Sequence, residues 1–379
     1  MISVRSITFF DSNLYNQEFS KEKLKKAFEN ISLKYKDLRT VRFTLPPIEL
    51  STEPDLDQLL IISHRRANSL IGLGFRWINQ PVICSEFVSQ EQRDILSDSI
   101  KKLLSSNDKF FSSIISRDIK STETTSKLYA SISKSLARVD KTGFSNFRFG
   151  AGFNLQEATP FFPFSFSDQN GFSIAIEIHD LCNQIWDSYG SLDKIESKLR
   201  DELTNIDRLA SELAKDLDIS YLGLDCSLAP LPNSPMTVCG LIEKITGAVA
   251  GSPGFLSGVS KLTKVIKSSI ADIKSSGFNG VMLSVLEDDV LASRFATGNV
   301  TINDLMLYSS VCGCGIDMVP ISENTSEVSL SRLASDISSL AFRLNKPLGI
   351  RTLTIPYKNS GEMTSFNHDF LTNTVIQKV

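Results

Sequence analysis

Apolar residues fall along this chain in two alternating rhythms. Short runs in which nearly every position is apolar or small read as strands: Val4 to Phe10, Thr40 to Leu45 (closed by Pro46-Pro47), Phe75 to Ile83, Phe110 to Ile115, Phe147 to Asn154, Phe172 to Ile178, Tyr221 to Leu224, Val281 to Val285, Cys312 to Val319 and Gly349 to Ile355. Between them, apolar residues recur at helical spacing with charges interleaved, over Gln17 to Leu38, Ser89 to Leu104, Ser121 to Val139, Leu192 to Leu217 and Leu256 to Ser276. A further helix carries Leu59, Leu60, Ile62 and Leu70, is capped by Ser51 or Thr52, and stops at Gly72-Leu73-Gly74. In the Leu192 to Leu217 helix, Ile195, Leu199, Leu203, Ile206, Leu209 and Leu213 form one stripe, as expected of an outer helix lying on a sheet.

Ten candidate strands, nearly all separated by helices, predict an α/β fold of parallel βα units. No repeat of fixed period and no long linker interrupts the 379 residues, so residues 1–379 are expected to form a single domain. The least periodic stretch, Ala158 to Asn170 (ATPFFPFSFSDQN), is short enough to be an ordered loop.

Charge narrows the partners. With 40 basic against 43 acidic residues and no sustained basic run, neither a nucleic acid nor an anionic membrane is expected to be the main one. No apolar run reaches the roughly 18 residues needed to cross a bilayer, and the first residues lack the order of a signal peptide, so a cytoplasmic location is expected. In that reducing setting the six cysteines are buried apolar residues or reactive thiols rather than a disulfide framework. Three histidines leave little room for a histidine-rich metal site. His64, His179 and His368 are isolated and read as structural.

The densest group of reactive side chains lies in SVCGCGIDMVP, Ser310 to Pro320. Gly313 and Gly315 let backbone approach another backbone or a ligand, and N–H groups beside Cys312 and Cys314 would favour their thiolates. The two cysteines are then a nucleophile, a redox centre or soft metal ligands; as small hydrophobes they are inert. Asp317 follows in the same strand. Asp225 ends a second strand, and Glu287, Asp288 and Asp289 follow a third. Because ligands gather at strand C-terminal ends in parallel α/β folds, Asp225, Glu287, Asp288 and Asp317 are candidates to hold Mg²⁺ or Mn²⁺ or to move protons. Equally, the acids at 287–289 suit the first turn of a helix. Phe147 to Phe164 (FRFGAGFNLQEATPFFPF) either walls an apolar pocket, with Phe161 and Phe162 in contact and Arg148 and Asn154 as polar contacts, or plugs the core. Arg351, a lone arginine on a strand, is expected to meet a carboxylate or an anionic ligand. GSPG (Gly251 to Gly254) ahead of a helix is a weak anion cradle without the lysine of a P-loop.

The combination of PFFP (Pro160 to Pro163), DCSLAP (Asp225 to Pro230), LED (Leu286 to Asp288), YSSVCGCGIDMVP (Tyr308 to Pro320), RLNKPLGIR (Arg343 to Arg351) and GEMTSFNHDFL (Gly361 to Leu371) resembles the uncharacterised domain-of-unknown-function 711 family, also called uncharacterised protein family 0210. The resemblance implies the ten-stranded α/β barrel of glycyl-radical enzymes and ribonucleotide reductases, in which a cysteine on a loop threaded through the barrel carries the radical. No glycyl-radical motif stands near the C-terminus here, which disfavours that chemistry. The family brings no assigned reaction, although its members often accompany a small ACT-domain protein, a type associated with amino-acid sensing. Two departures fall in the expected pocket: Ile321-Ser322-Glu323-Asn324 where many members have Ile-Pro-Gly-Asp, and Glu157-Ala158-Thr159 where Pro-Gly is more usual.

Three functional expectations follow. The first is an enzyme acting on a small anionic metabolite at a barrel-mouth pocket, with Cys312, Cys314 and Asp317 catalytic, Arg148, Asn154, Phe161, Phe162 and Arg351 binding substrate, and Asp225, Glu287 and Asp288 holding Mg²⁺ or Mn²⁺. The second is a non-catalytic small-molecule-binding or regulatory protein linked to amino-acid sensing, with an ACT-domain protein as the partner the resemblance suggests; a homo-oligomer is expected under either. The third is a thiol redox role for Cys312 and Cys314.

Overall fold

A computed structural model of the chain describes residues 3–13, 19–34, 38–50, 56–140 and 142–379. The expected helix cap at Ser51 or Thr52 lies outside the described residues. The strands are β1 (Ser3–Phe10), β2 (Thr40–Thr44), β3 (Ile48–Glu49), β4 (Trp77–Ile83), β5 (Phe110–Ser116), β6 (Phe149–Phe153), β7 (Gly171–Glu177), β8 (Tyr221–Asp225), β9 (Gly315–Ser322) and β10 (Leu348–Ile355). Nine of them run in the order β8-β7-β1-β2-β4-β5-β6-β10-β9, with β3 paired to β4.

Strand direction divides this sheet in two. β1, β2, β4, β5 and β6 are parallel to one another. β7 is parallel to β8, and β9 to β10. The two sets meet antiparallel at β1–β7 and at β6–β10. The gap between β8 and β9 is spanned by an irregular segment through isolated parallel bridges, Leu224 to Ser275, Leu228 to Val281 and Ser284 to Asp317, which complete a ring. Val281 to Val285 is thus ring-forming as expected but is not a regular strand. Gly277 (φ +81°) and Asn279 (φ 50°) turn the backbone just before it, only Val281 and Ser284 form bridges within it among the described residues, and a 3-10 turn starts at Val285. The antiparallel joins differ from the all-parallel expectation, and the β6–β7 connection contains no helix.

Helices cover the outside: α1 (Lys21–Lys34), α2 (Leu56–Gly72), α3 (Gln90–Ser106), α4 (Thr122–Leu136), α5 (His179–Tyr189), α6 (Leu192–Leu217), α7 (Val238–Thr246), α8 (Phe255–Ser269), α9 (Asp289–Ala296), α10 (Ile302–Ser309) and α11 (Glu327–Arg343). Their buried faces and the outward faces of the strands form one continuous core. In α6 the buried stripe runs Ile195, Leu199, Leu203, Ala210, Leu213, Leu217. Leu209 lies off it and is exposed, because a 3.6-residue period carries the stripe onto Ala210. Ser89 caps α3 with a reciprocal bond to Gln92, closing free N–H groups of the first turn.

The loop from Leu155 to Asn170 threads the ring. Its Ser165 hydroxyl hydrogen-bonds Thr44, and its Ser165 carbonyl accepts from Asn79 Nδ2 at 2.7 Å. Phe164 lies flat against glycine: a Cβ on Gly150 or Gly349 would stand 2.6 or 2.7 Å from its ring. Phe164, Phe166, Leu155, Phe278, Met282 and Cys314 fill one part of the bore, and Phe111, Phe147, Phe162, Leu286 and Met318 another. The aromatic stretch is therefore both of its expected alternatives, a plug and, at Phe161 and Phe162, a pocket wall.

Candidate functional site

Because the two halves run in opposite directions, one mouth of the ring gathers strand beginnings from the first half and strand ends from the second. A cavity of about 270 Å³ opens there. The first half sends in Arg5 from β1, Arg39 and Arg42 at the start of β2, and Arg76 and Trp77 at the start of β4. The second half sends in Glu177 from the end of β7, Asp225 from the end of β8, Glu287 and, from β10, Arg351. Phe161 and Phe162 of the threaded loop form part of the wall, and Phe370 of the C-terminal segment completes it.

Arg351 is the best-satisfied cation of the site. At 2% exposure it donates Nε to Asp317 Oδ1 (2.6 Å) and Nη2 to Asp317 Oδ2 (2.8 Å), a two-point fit of guanidinium to carboxylate. Nη2 also reaches Glu287 Oε2 (3.3 Å), and Nη1 donates to the Phe147 carbonyl (3.3 Å). The Phe147 ring lies 5.1 Å from the guanidinium. Glu287 Oε2 additionally accepts the Ser284 hydroxyl at 2.5 Å. Burial raises the Glu287 carboxyl above its ordinary value against the pull of Arg351, with the neighbouring Asp317 adding to the rise. Its side chain keeps 22% exposure, on the cavity side.

Arg42 is placed differently. At 8% exposure its guanidinium stacks 4.5 Å from the Trp77 ring centre and 5.3 Å from that of Phe162. Nε donates to Thr40 Oγ1 at 3.0 Å, and the other N–H groups meet no protein acceptor among the described residues. Burial, with repulsion from Arg5 and Arg39, lowers the guanidinium to about 9 against the attraction of Glu177 and Asp225, so it remains charged at neutral pH. Glu177 is occupied by Arg39 at 2.6 Å and lies 3.9 Å from Arg5.

The remaining expected residues lie elsewhere. Asp288 faces helix ends: its carboxylate accepts from Thr237 Oγ1, Cys239 N, Val290 N and Leu291 N, tying the starts of α7 and α9 together. It does not join Asp225 and Glu287, and among the described residues no three His, Cys, Asp or Glu side chains converge to hold a metal ion. Arg148 is no cavity contact; its Nη1 donates to the carbonyls of Leu104, Asn107 and Phe110, fastening the end of α3 and the turn beyond it. Asn154, with φ 55°, sits past the end of β6 at the opposite mouth, its side chain 3.4 Å from the Ala341 carbonyl and from Asn345.

Cys312 and Cys314 precede β9 and are 2% and 1% exposed, away from the arginine cavity. The Cys314 thiol donates to the Gly315 carbonyl at 3.7 Å, and the closeness of the two thiols favours the thiolate at Cys312 and disfavours it at Cys314. Lys346 donates to the Cys312 carbonyl at 2.9 Å. All six cysteines are unbridged. The glycines of CGCG serve backbone packing: Gly313 abuts Gly280, and Gly315, at φ +97°, abuts Gly349. The threaded loop, Leu155 to Asn170, contains no cysteine.

Sequence reasoning missed Arg5, Arg39, Arg42, Arg76 and Trp77. Their signal is a basic residue at or just before the start of three of the first four strands, VRSI, LRTVRF and FRW.

The fold and cavity define an α/β ring protein with a small arginine-lined site beside a buried ion-pair network. The chain belongs to the family described as "Uncharacterised ACR (DUF711)", whose model matches residues 3–367. It is similar to a UPF0210 protein of Pyrobaculum arsenaticum, 31% identical over 153 residues, which is 40% of this chain and 34% of that one. It is also similar to a UPF0210 protein of Oleidesulfovibrio alaskensis, 28% identical over 182 residues, 47% of this chain and 40% of that one. The matched stretches thus span about a third to two fifths of those relatives. Among solved structures, the anaerobic ribonucleotide reductase from Thermotoga maritima with citrate in its active site aligns with TM-score 0.44 and 9% identity, over 92% of this chain and 80% of that one. No helix among the described residues is long and apolar enough to cross a membrane.

Proposed function

We propose that this chain binds a small anionic metabolite in the arginine-lined cavity and acts on it with Glu287 as the acid–base group. Arg42 carries the reading. A guanidinium that is nine-tenths buried, held between two aromatic faces and short of acceptors is unfavourable until an anion supplies them. Arg5 and Arg39 add positive field on the same wall. Glu287 supports the catalytic part: burial favours its protonated form, it opens on the cavity, and Arg351 steadies it. As a base, Glu287 would take a proton from the bound substrate; the electron pair left behind would be stabilised by the neighbouring guanidinium groups, and the same carboxyl would return the proton.

Thermal scans with phosphate, sulfate and small mono- and dicarboxylates test binding. The proposal expects at least one of them to raise Tm in the native protein and not in Arg42→Met. For the chemical part, the stabilising carboxylate is incubated with protein in D₂O and followed by NMR. Deuterium incorporation that Glu287→Gln abolishes supports acid–base chemistry. A ligand that stabilises the fold but is recovered unlabelled and unaltered leaves the sensor reading instead.

A further inference from the structure

The anion-binding reading above leaves the rest of the ligand open, and a second unsatisfied group on the same wall specifies it. Asp225 is fully buried and lines the cavity. Its Oδ1 accepts the Ser227 amide (2.9 Å) and hydroxyl (2.5 Å), whereas Oδ2 accepts from nothing among the described residues. Gly277 backs this carboxylate so closely that a Cβ there would stand 2.8 Å from Oδ2, which leaves no room on that side for a donor side chain. The other two acids on the wall are engaged: Glu177 receives Arg39, and Glu287 receives Ser284 and Arg351. A buried carboxylate oxygen without a donor is as unfavourable as the buried guanidinium without acceptors. Arg42 and Asp225 attract each other through space, but neither hydrogen-bonds the other, so the same cavity holds a cation and an anion whose hydrogen-bonding capacity is unfilled, and Trp77, Phe111, Phe147 and Phe370 supply apolar wall.

We infer that the ligand carries an anionic group for Arg42 and a protonated amine for Asp225 on an apolar body, which is the chemistry of an apolar amino acid. Asp225 then selects amine-bearing acids over simple acids, since an analogue lacking the amine leaves the carboxylate unpaired.

The test is a thermal-shift and calorimetric panel of leucine, valine, phenylalanine and methionine, each beside its deaminated acid and its decarboxylated amine, with and without Mg²⁺ or Mn²⁺. The expected result is that at least one amino acid binds roughly tenfold or more tightly than both of its analogues. Asp225→Asn should erase the advantage over the deaminated acid while leaving that acid's own binding intact, and Arg42→Met should erase both. Deaminated acids that bind the native protein as well as the amino acids overturn the inference and leave the anion reading standing. So does a deaminated acid that binds well only with Mg²⁺ or Mn²⁺, because the orphan oxygen then serves a cation. If neither the amino acids nor the acids bind, the inference fails, and the anion reading fails with it only if phosphate, sulfate and the dicarboxylates also leave Tm unchanged. Should Asp225→Asn fail to fold, the native protein's ranking of each amino acid against its two analogues decides alone.

Discussion

Two buried arginines reach the same cavity and stand in opposite electrostatic conditions. Arg351, on the β9–β10 wall, gives its N–H groups to Asp317, Glu287 and the Phe147 carbonyl. Arg42, on the β1–β2–β4 wall, has one hydrogen bond and two aromatic faces. Their surroundings move the guanidinium in opposite directions: burial and the neighbouring arginines lower Arg42, while Asp317 and Glu287 outweigh burial and raise Arg351. The contrast separates scaffold from site. A cation whose partners belong to the protein holds strands together, and a cation left short of partners awaits something from outside.

The comparison breaks most visibly at Arg351. Arg351→Met leaves the Asp317 carboxylate, 1% exposed, without its counter-ion, and should destabilise the fold by about 3–5 kcal/mol in urea denaturation. A loss under about 1 kcal/mol would show that the network is not structural. The next effect is at the plug: Gly349→Ala forces a methyl against the Phe164 ring and should cost about 1–3 kcal/mol in the same assay, with no change in denaturant slope. Arg42→Met should change stability by less than about 1 kcal/mol, or raise it, because it removes an unpaired buried charge and keeps an apolar stem between Trp77 and Phe162. A large loss there would place Arg42 with the scaffold.

The smallest effect is in pH dependence. Glu287 and Asp288 titrate above their ordinary values of 4.5 and 3.8 in the folded chain. The folded state therefore binds protons more readily than the unfolded one, and their contribution to stability falls as pH rises above those ordinary values. Glu287→Gln should flatten the part of that slope due to position 287 in denaturation series from pH 4 upward; an unchanged slope would mean that Glu287 is not held protonated by its surroundings.

Much of the architecture was legible from periodicity. Nine of the expected strands and the long outer helix fall where apolar spacing puts them, since burial on both faces of a strand or along one helix stripe leaves a direct mark. Val281 to Val285 did not announce itself as irregular, because the turns that flank it, at Gly277 and Asn279 before and from Val285 onward, leave its apolar run unchanged. In the site, Asp225, Glu287, Phe161, Phe162 and Arg351 were legible as residues and do share the cavity. The arginines opposite them were not, because a rule for all-parallel sheets points to strand ends, and in two antiparallel halves the strand starts of one share a mouth with the strand ends of the other. CGCG drew attention because thiols are rare in the chain, yet its glycines answer to the backbones at Gly280 and Gly349.

The threaded loop bears on traffic. With Phe164 seated on glycine and Ser165 bonded to Thr44 and Asn79, the bore behind the cavity is stoppered. Whatever comes in past Arg76 and Phe370 must back out through the same doorway, so an occupant waiting to depart and a newcomer exclude each other, and any converted molecule would act as a competitive inhibitor of its own precursor.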